Sequence, residues 1–433
     1  MPTIAHVTRS FSLPSKGARE DETPLSRHRD FRLLLSGAAA SQIGTQVTLV
    51  ALPLVAVLGL KASAFEVGLL TAAETAAFLL VGLPAGAWVD RMRRLPVLIG
   101  TDVVRALAMA SVPPAAMTGT LTMVQLYLVA LVTGVATVFF DIAHQSYLPA
   151  LLPKGRLVSG NGALETVRSC AQVAGPGLAG GLVQLVGAPL AVLVDAAGYI
   201  VSALFLRRIR TAEPHPAADG ERRSLRAAIG EGLAFVLRHP LLRVIALSTG
   251  VANFFSALLL SVQTVFLVRV LDLSPGAIGL TLSGAAAGGI LGALSAGRIA
   301  AAVGQARIIW LSTLATGPFA LLWPLAATGP AAALFALGSA IVFFGAVVYN
   351  IAQVSFRQTL CPPDLLGRMN ATMRFLAWGA MPLGALAGGV LAQSFGARTA
   401  VWVCAAGFLT VPLPLLLSPL RRLRDLPSGT AGR

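Results

Sequence analysis

The chain has 433 residues, 56% of them hydrophobic and only 12% charged, and its 33 Lys and Arg against 18 Asp and Glu give a net charge of +15. A soluble globular chain carries roughly 25% charged residues, so the composition excludes water as the main solvent and points to lipid. The basic surplus does not imply nucleic acid, because it sits in short clusters between apolar runs and not on one face or in one domain.

Residues 1–31 are polar, contain Pro14 and Pro24, and read as a disordered tail without the early apolar stretch of a signal peptide. From there the apolar runs begin. A membrane helix needs roughly 20 mostly apolar residues, and runs of that length lie at roughly 33–60, 65–89, 95–117, 121–143, 164–186, 188–206, 241–268, 275–300, 306–327, 330–352, 373–394 and 397–418. The pattern predicts an all-α integral membrane protein of twelve spans. A six-helix lobe is expected over 32–206, a basic loop over 207–240, a second six-helix lobe over 241–420 and a basic tail over 421–433.

The links alternate in charge. Even-to-odd links are basic, as in "DRMRR" (90–94), "PKGR" (153–156) and "RRIR" (207–210). On these boundaries only Lys61, Arg269 and Arg398 fall in the odd-to-even links, and Arg105 lies inside a span. The positive-inside rule then puts both termini in the cytoplasm.

The two halves repeat. At an offset of 209, "GAPLAVLVDAAGYI" (187–200) lies on "GARTAVWVCAAGFL" (396–409), and Pro153 and Asn161 lie on Pro362 and Asn370. Earlier in each half, at an offset of 211, Ser63, Gly68 and Gly86 lie on Ser274, Gly279 and Gly297. Two such halves related by an axis along the membrane normal are one known transporter architecture.

Charges inside spans are costly and mark candidate functional sites. Glu74 stands near the middle of span 2 with no cation within one turn. Desolvation penalises a carboxylate's charged form, so a cavity-facing acid there is a candidate proton carrier; the alternative is a satisfied acid at a helix contact. Asp102 and Arg105 in span 3 are three apart and can pair with each other. Asp195 in span 6 has Cys404 as its repeat counterpart, and Asp141, at the inner end of span 4, has Asn350. The chemistry of these acids therefore belongs to the first half alone. Glu165 and Arg168 at the start of span 5 can also pair with each other. The five histidines are scattered, and only His144 lies near a span end.

Between spans 2 and 3 stands "GAWVDRMRR" (86–94). Gly86 and Asp90 share a helix face; the glycine admits a close neighbour, and the acid can meet a helix N-terminus or a cation. With the 6+6 spans and the basic central loop, this segment resembles the signature of the major facilitator superfamily. Gly86, Asp90 and Arg91 match it, and Arg93 stands where a glycine is usual. "FFDIAHQSYLPALLP" (139–153) and "GPGLAGG" (175–181) are similar to segments of drug and siderophore exporters of that superfamily. In the second, Gly175, Pro176, Gly180 and Gly181 approximate an antiporter motif, with three residues instead of two before the glycine pair.

The resemblance implies a secondary transporter of the plasma (inner) membrane, not an enzyme. It would export amphipathic organic molecules by alternating access, in exchange for protons and as a monomer. Spans 2 and 11 and spans 5 and 8 would meet at the lobe boundary. Asp90 would meet the start of helix 11 near Arg374, and Glu165 the end of helix 8 near Arg298. With Arg91, Arg94 and Asp141 nearby, these contacts would clasp the cytoplasmic side. Arg91, Arg93 and Arg94 can instead be plain topology anchors. The arginine that many drug–proton antiporters carry in helix 4 is absent from "LTMVQLYLVALVTGVA" (121–136). No P-loop occurs, so a proton gradient, not a cofactor or ATP, is the expected energy source. Import or facilitated diffusion remains an alternative, and a membrane-embedded enzyme or a transporter-like sensor a remote one. Cys170, Cys361 and Cys404 fall singly, so neither a disulfide frame nor a zinc site is expected.

Overall fold

In a bilayer each backbone polar group of a lone spanning segment must be satisfied within that segment, and the described spans are helices. The computed structural model describes residues 25–89, 91–153, 156–211, 213, 225–361 and 365–425, and no strand occurs among them. The first lobe holds α1 (Arg29–Gly59), α2 (Ala64–Val89), α3 (Arg94–Met117), α4 (Met123–Leu151), α5 (Leu157–Val186) and α6 (Ala188–Arg207). A short α7 (Leu225–Arg238) follows. The second lobe holds α8 (Pro240–Arg269), α9 (Pro275–Val303), α10 (Arg307–Leu325), α11 (Gly329–Leu360), α12 (Arg368–Phe395) and α13 (Ala397–Leu416). Eleven of the described helices are apolar and long enough to cross a membrane. The 30-residue α5, with Glu165 and Arg168 in its polar first half, completes six spans in each lobe.

Repeat-related positions perform repeat-related jobs. His28 and His239, 211 apart, cap α1 and α8: each Nδ1 accepts from a backbone N–H three residues on, Phe31 at 3.1 Å and Leu242 at 3.4 Å. Ser63 and Ser274, at the same offset, cap α2 and α9, and Ser63 completes a capping box with Glu66. Gly187 and Gly396 turn the chain into α6 and α13 at φ 85° and 87°, where a side chain would be strained. Two of the scattered histidines are thus a matched pair of helix caps.

Four predicted span ends need correction. Spans 4 and 10 continue to Leu151 and Leu360, and spans 5 and 11 begin at Leu157 and Arg368. Hydropathy ends each span where polar residues start. Here the helix carries those residues onward, because helical hydrogen bonding does not need an apolar side chain. The expected tail is also shorter: Leu25–Arg27 form a 3-10 turn, α1 starts at Arg29, and Phe31 is buried. Residues 1–24 lie outside the described residues.

The 207–240 segment is not a plain loop. Near α6, Asp30 accepts from the N–H groups of Arg210 and Thr211 at 3.0 and 2.9 Å and from the Thr211 hydroxyl at 2.7 Å. Further on, α7 lies on the start of α12 through a Glu231–Arg368 ion pair and a close approach at Gly232. A Cβ at Gly232 would fall 2.5 Å from Thr372 Oγ1 and 2.9 Å from the Arg368 carbonyl. The buried Val236 joins α7 to the apolar core of the second lobe.

The lobes meet along α5 and α9 and along α2 with α12 and α8. At the end with few charged links, one apolar core runs through both lobes, from Val47 and Val67 to Leu258 and Phe266. At the basic end each lobe keeps its own core: Phe31, Tyr147 and Leu206 in the first, Ile245, Tyr349 and Phe356 in the second. The molecule is therefore closed at its sparsely charged end and parted at its basic end.

Candidate transport site

The interior of the first lobe holds a buried charge cluster. Asp102 and Arg105, one turn apart on α3, form an ion pair with side chains 0% and 3% exposed. The guanidinium lies 4.2 Å from the ring centroids of both Phe140 on α4 and Tyr199 on α6. This placement suits a delocalised cation between two π faces. Arg105 also donates to Thr137 Oγ1 at 3.4 Å. Asp195 stands one turn before Tyr199 on α6 and is fully buried. It packs under Gly44 of α1, where a Cβ would fall 2.6 Å from its Oδ1. The Tyr199 hydroxyl is 3.0 Å from Thr45 Oγ1.

Glu74 is half-buried on α2, and a Cβ at Gly134 of α4 would fall 2.6 Å from its carbonyl oxygen. No ion pair joins Glu74 to a cation among the described residues. Asp141, half-buried on α4, lies within electrostatic reach of Arg105, Arg168 and, across the lobe boundary, Arg374. The Arg374 guanidinium lies 4.7 Å from the Phe78 ring of the opposite lobe and 5.2 Å from that of Trp378, and these two rings are 4.8 Å apart. In the second lobe Asn350 accepts from Gln353 at 2.9 Å and Cys404 donates to the Phe255 carbonyl at 3.1 Å. Neither counterpart carries charge.

The expected contact between Glu165 and Arg298 is not made in this conformation. Glu165 lies 3.8 Å from Arg168 on its own helix, both side chains more than half exposed. Arg298 is exposed, and no ion pair joins it to Glu165 among the described residues. Gly86 was expected to admit a close neighbour; a Cβ there would meet nothing within 4 Å, and the same holds for its counterpart Gly297. The lobes are simply apart at this level. Arg91 is exposed, and Asp90 lies outside the described residues.

Arg94 has a partner that sequence reasoning missed. Glu213, 6% exposed, accepts from the backbone N–H groups of Arg94 and Leu95 at 2.8 and 3.3 Å and pairs with the Arg94 guanidinium at 3.3 Å. It thus places an anion at the start of α3, which has no side-chain cap of its own. No periodic signal marks one acid in a polar linker; only the folded chain brings it back. Glu213→Ala leaves two donors and a cation short of a partner. The expected loss is about 1–3 kcal/mol, read as a lower melting temperature in detergent, with Glu213→Gln intermediate.

At the other end the helix-5 motif lies on the lobe boundary. Gly175 faces Gln46 of its own lobe, where a Cβ would fall 2.3 Å from Gln46 Cβ, while one at Gly181 would meet nothing within 4 Å. Pro176 cannot donate and crowds the preceding turn, and the next amide, Gly177, donates across the boundary to Ser283 Oγ at 2.9 Å. A Cβ at Gly180 would fall 2.4 Å from the Pro275 carbonyl and 2.9 Å from Gly279 Cα. The repeat-related crossing pairs Gly68 with Gly389, with a Cβ at Gly68 2.6 Å from Gly389 Cα. Arg269 adds a hydrogen bond to the Ala62 carbonyl at 2.6 Å.

This geometry has relatives. The chain is 29% identical to the multidrug efflux pump Tap of Mycolicibacterium fortuitum over 91% of its length and 96% of that protein's. It is 26% identical to the multidrug efflux pump Tap of Mycobacterium tuberculosis, over 90% and 92% of the two chains. Among solved structures it shares the fold of the nucleoside transporter NupG, with a TM-score of 0.74, 12% identity and coverage of 89% and 98%. It shares it also with a bacterial homologue of the iron transporter ferroportin, with a TM-score of 0.71, 17% identity and coverage of 91% and 99%. The family profile described as Major Facilitator Superfamily matches residues 34–381. With twelve spans in two repeat-related lobes that touch at one end and part at the other, the chain belongs to the Major Facilitator Superfamily of membrane transporters.

Proposed function

We propose that this transporter exports amphipathic small organic molecules, such as drugs, antibiotics or siderophores, in exchange for protons. The observation that carries export is the match to multidrug efflux pumps over nine tenths of the chain. The concentration of acids inside one lobe, beside the one arginine that is buried among the described residues, supports proton coupling. Basic links face the cytoplasm of the plasma (inner) membrane in this reading, both termini lie on that side, and the parted end opens inward. Substrate enters between the lobes and leaves once the contacts at Gly68–Gly389 and Gly180–Gly279 open. Asp90, Asp141, Glu165, Arg298 and Arg374 then close the inner end. A monomer suffices, because each half of the pathway comes from one lobe of the same chain.

The test is ethidium efflux from energised cells that lack their main pumps. Cells expressing the chain are expected to extrude ethidium several-fold faster than controls, and a protonophore to abolish the difference. Faster uptake than in controls would establish import instead. Extrusion that survives the protonophore would remove proton exchange while leaving export in place.

A further inference from the structure

We infer that Asp195 is the residue that carries a bound proton in this conformation, and that Arg105 is the positive group that Asp195 and Asp102 compete for. The inference deepens the antiport reading and rests on it only for the use made of the proton. Asp102 and Asp195 are both 0% exposed, and the cation buried among them, Arg105, is 3% exposed. Arg105 is paired with Asp102. Both oxygens of Asp195 are buried, and neither makes a hydrogen bond of good geometry among the described residues. Two ionised carboxylates with one guanidinium would leave a net negative charge in a low-dielectric interior. Such a group costs several kcal/mol in hydrocarbon surroundings. A proton on Asp195 balances the cluster.

Among the described residues the surroundings supply no other cation. On α1, Thr45 and Thr48 stand beside Asp195 and Tyr199, and a hydroxyl brings no charge. From α2 the nearest charge is Glu74, a second acid; α3 contributes Asp102 and Arg105, and α6 contributes Tyr199. On α4, Asp141 and His144 stand in reach of Arg105. Arg105 can change partners with little movement. Its guanidinium already stacks on Tyr199, and Asp195 lies one turn away on the same face of α6. When Asp195 gives its proton to water at the inner end, its carboxylate draws Arg105 from Asp102. A proton arriving from outside reverses the exchange. The step moves one proton and breaks no covalent bond besides O–H. The repeat removes the site from the second lobe by placing Cys404 at the equivalent position.

The experiment uses the full chain, purified into lipid at neutral pH, and infrared spectroscopy of the protonated-carboxyl C=O stretch. Wild type is expected to show the band and Asp195→Asn to lose it; Asp102→Asn should lose it too, because Asp195 then ionises beside the freed Arg105, and Glu74→Gln should keep it. A band that persists in Asp195→Asn, or vanishes in Glu74→Gln alone, overturns the assignment. If Asp195→Asn does not fold, Asp195→Glu replaces it: the band must shift in frequency, and an unshifted band overturns the assignment equally. Ethidium-driven proton release, measured with a pH dye in liposomes, separates the two readings. A wild-type band without proton release leaves the site and removes antiport. Proton release that survives Asp195→Asn removes the site and leaves antiport.

Discussion

Gly180→Leu is expected to reduce ethidium export at least about fivefold at normal protein level, while Gly181→Leu is expected to leave it nearly unchanged. The two glycines are neighbours on α5, yet a Cβ at 180 falls 2.4 Å from the Pro275 carbonyl and one at 181 meets nothing within 4 Å. The atoms in the way at Gly180 are backbone, which cannot rotate aside. Overpacking of this kind costs typically about 1–3 kcal/mol. Each 1.4 kcal/mol is a factor of about ten in an equilibrium, so the population closed at this end falls by roughly five- to more than a hundredfold. That conformation is the one parted at the basic end, and a transporter that cannot reach it cannot complete its cycle. Gly389→Leu, at the symmetric crossing, should reproduce the loss. Equal effects at 180 and 181 would show that the loss comes from helix packing in general and not from the lobe boundary.

Arg105→Gln is expected to be the most destabilising single change in the first lobe. It leaves Asp102 buried without its cation, and breaking a buried pair in this way costs about 3–5 kcal/mol. The loss of the cation between the Phe140 and Tyr199 rings adds about 0.5–2 kcal/mol. Folded yield and melting temperature in detergent should both fall sharply. Adding Asp102→Asn removes the stranded charge and should restore most of the yield, because the replacement leaves no buried ion. Transport should not return, because the shared cation is still missing. A double variant as unstable as Arg105→Gln would show that the ring contacts, and not the ion pair, hold α3, α4 and α6 together.

The solvent, the number of spans and the duplication can be read from the order of the amino acids alone. Each follows from local chemistry: twenty apolar residues have one stable form in lipid, and the matched caps and turns of the repeat need only near neighbours. The Asp102–Arg105 spacing was legible for the same reason, since one helical turn separates the two residues. Contacts between distant segments were not legible. Nothing local tells that Glu213 returns to the start of α3, that α7 forms and lies on α12, or that Asp195 is buried without a cation beneath Gly44. The motif glycines show the division most clearly. Gly86 and Gly180 are alike as residues, but one faces open space and the other touches the opposite lobe. A glycine only permits close approach; which end of the molecule uses that permission is decided by how the two lobes tilt, and the tilt exists only in the tertiary structure.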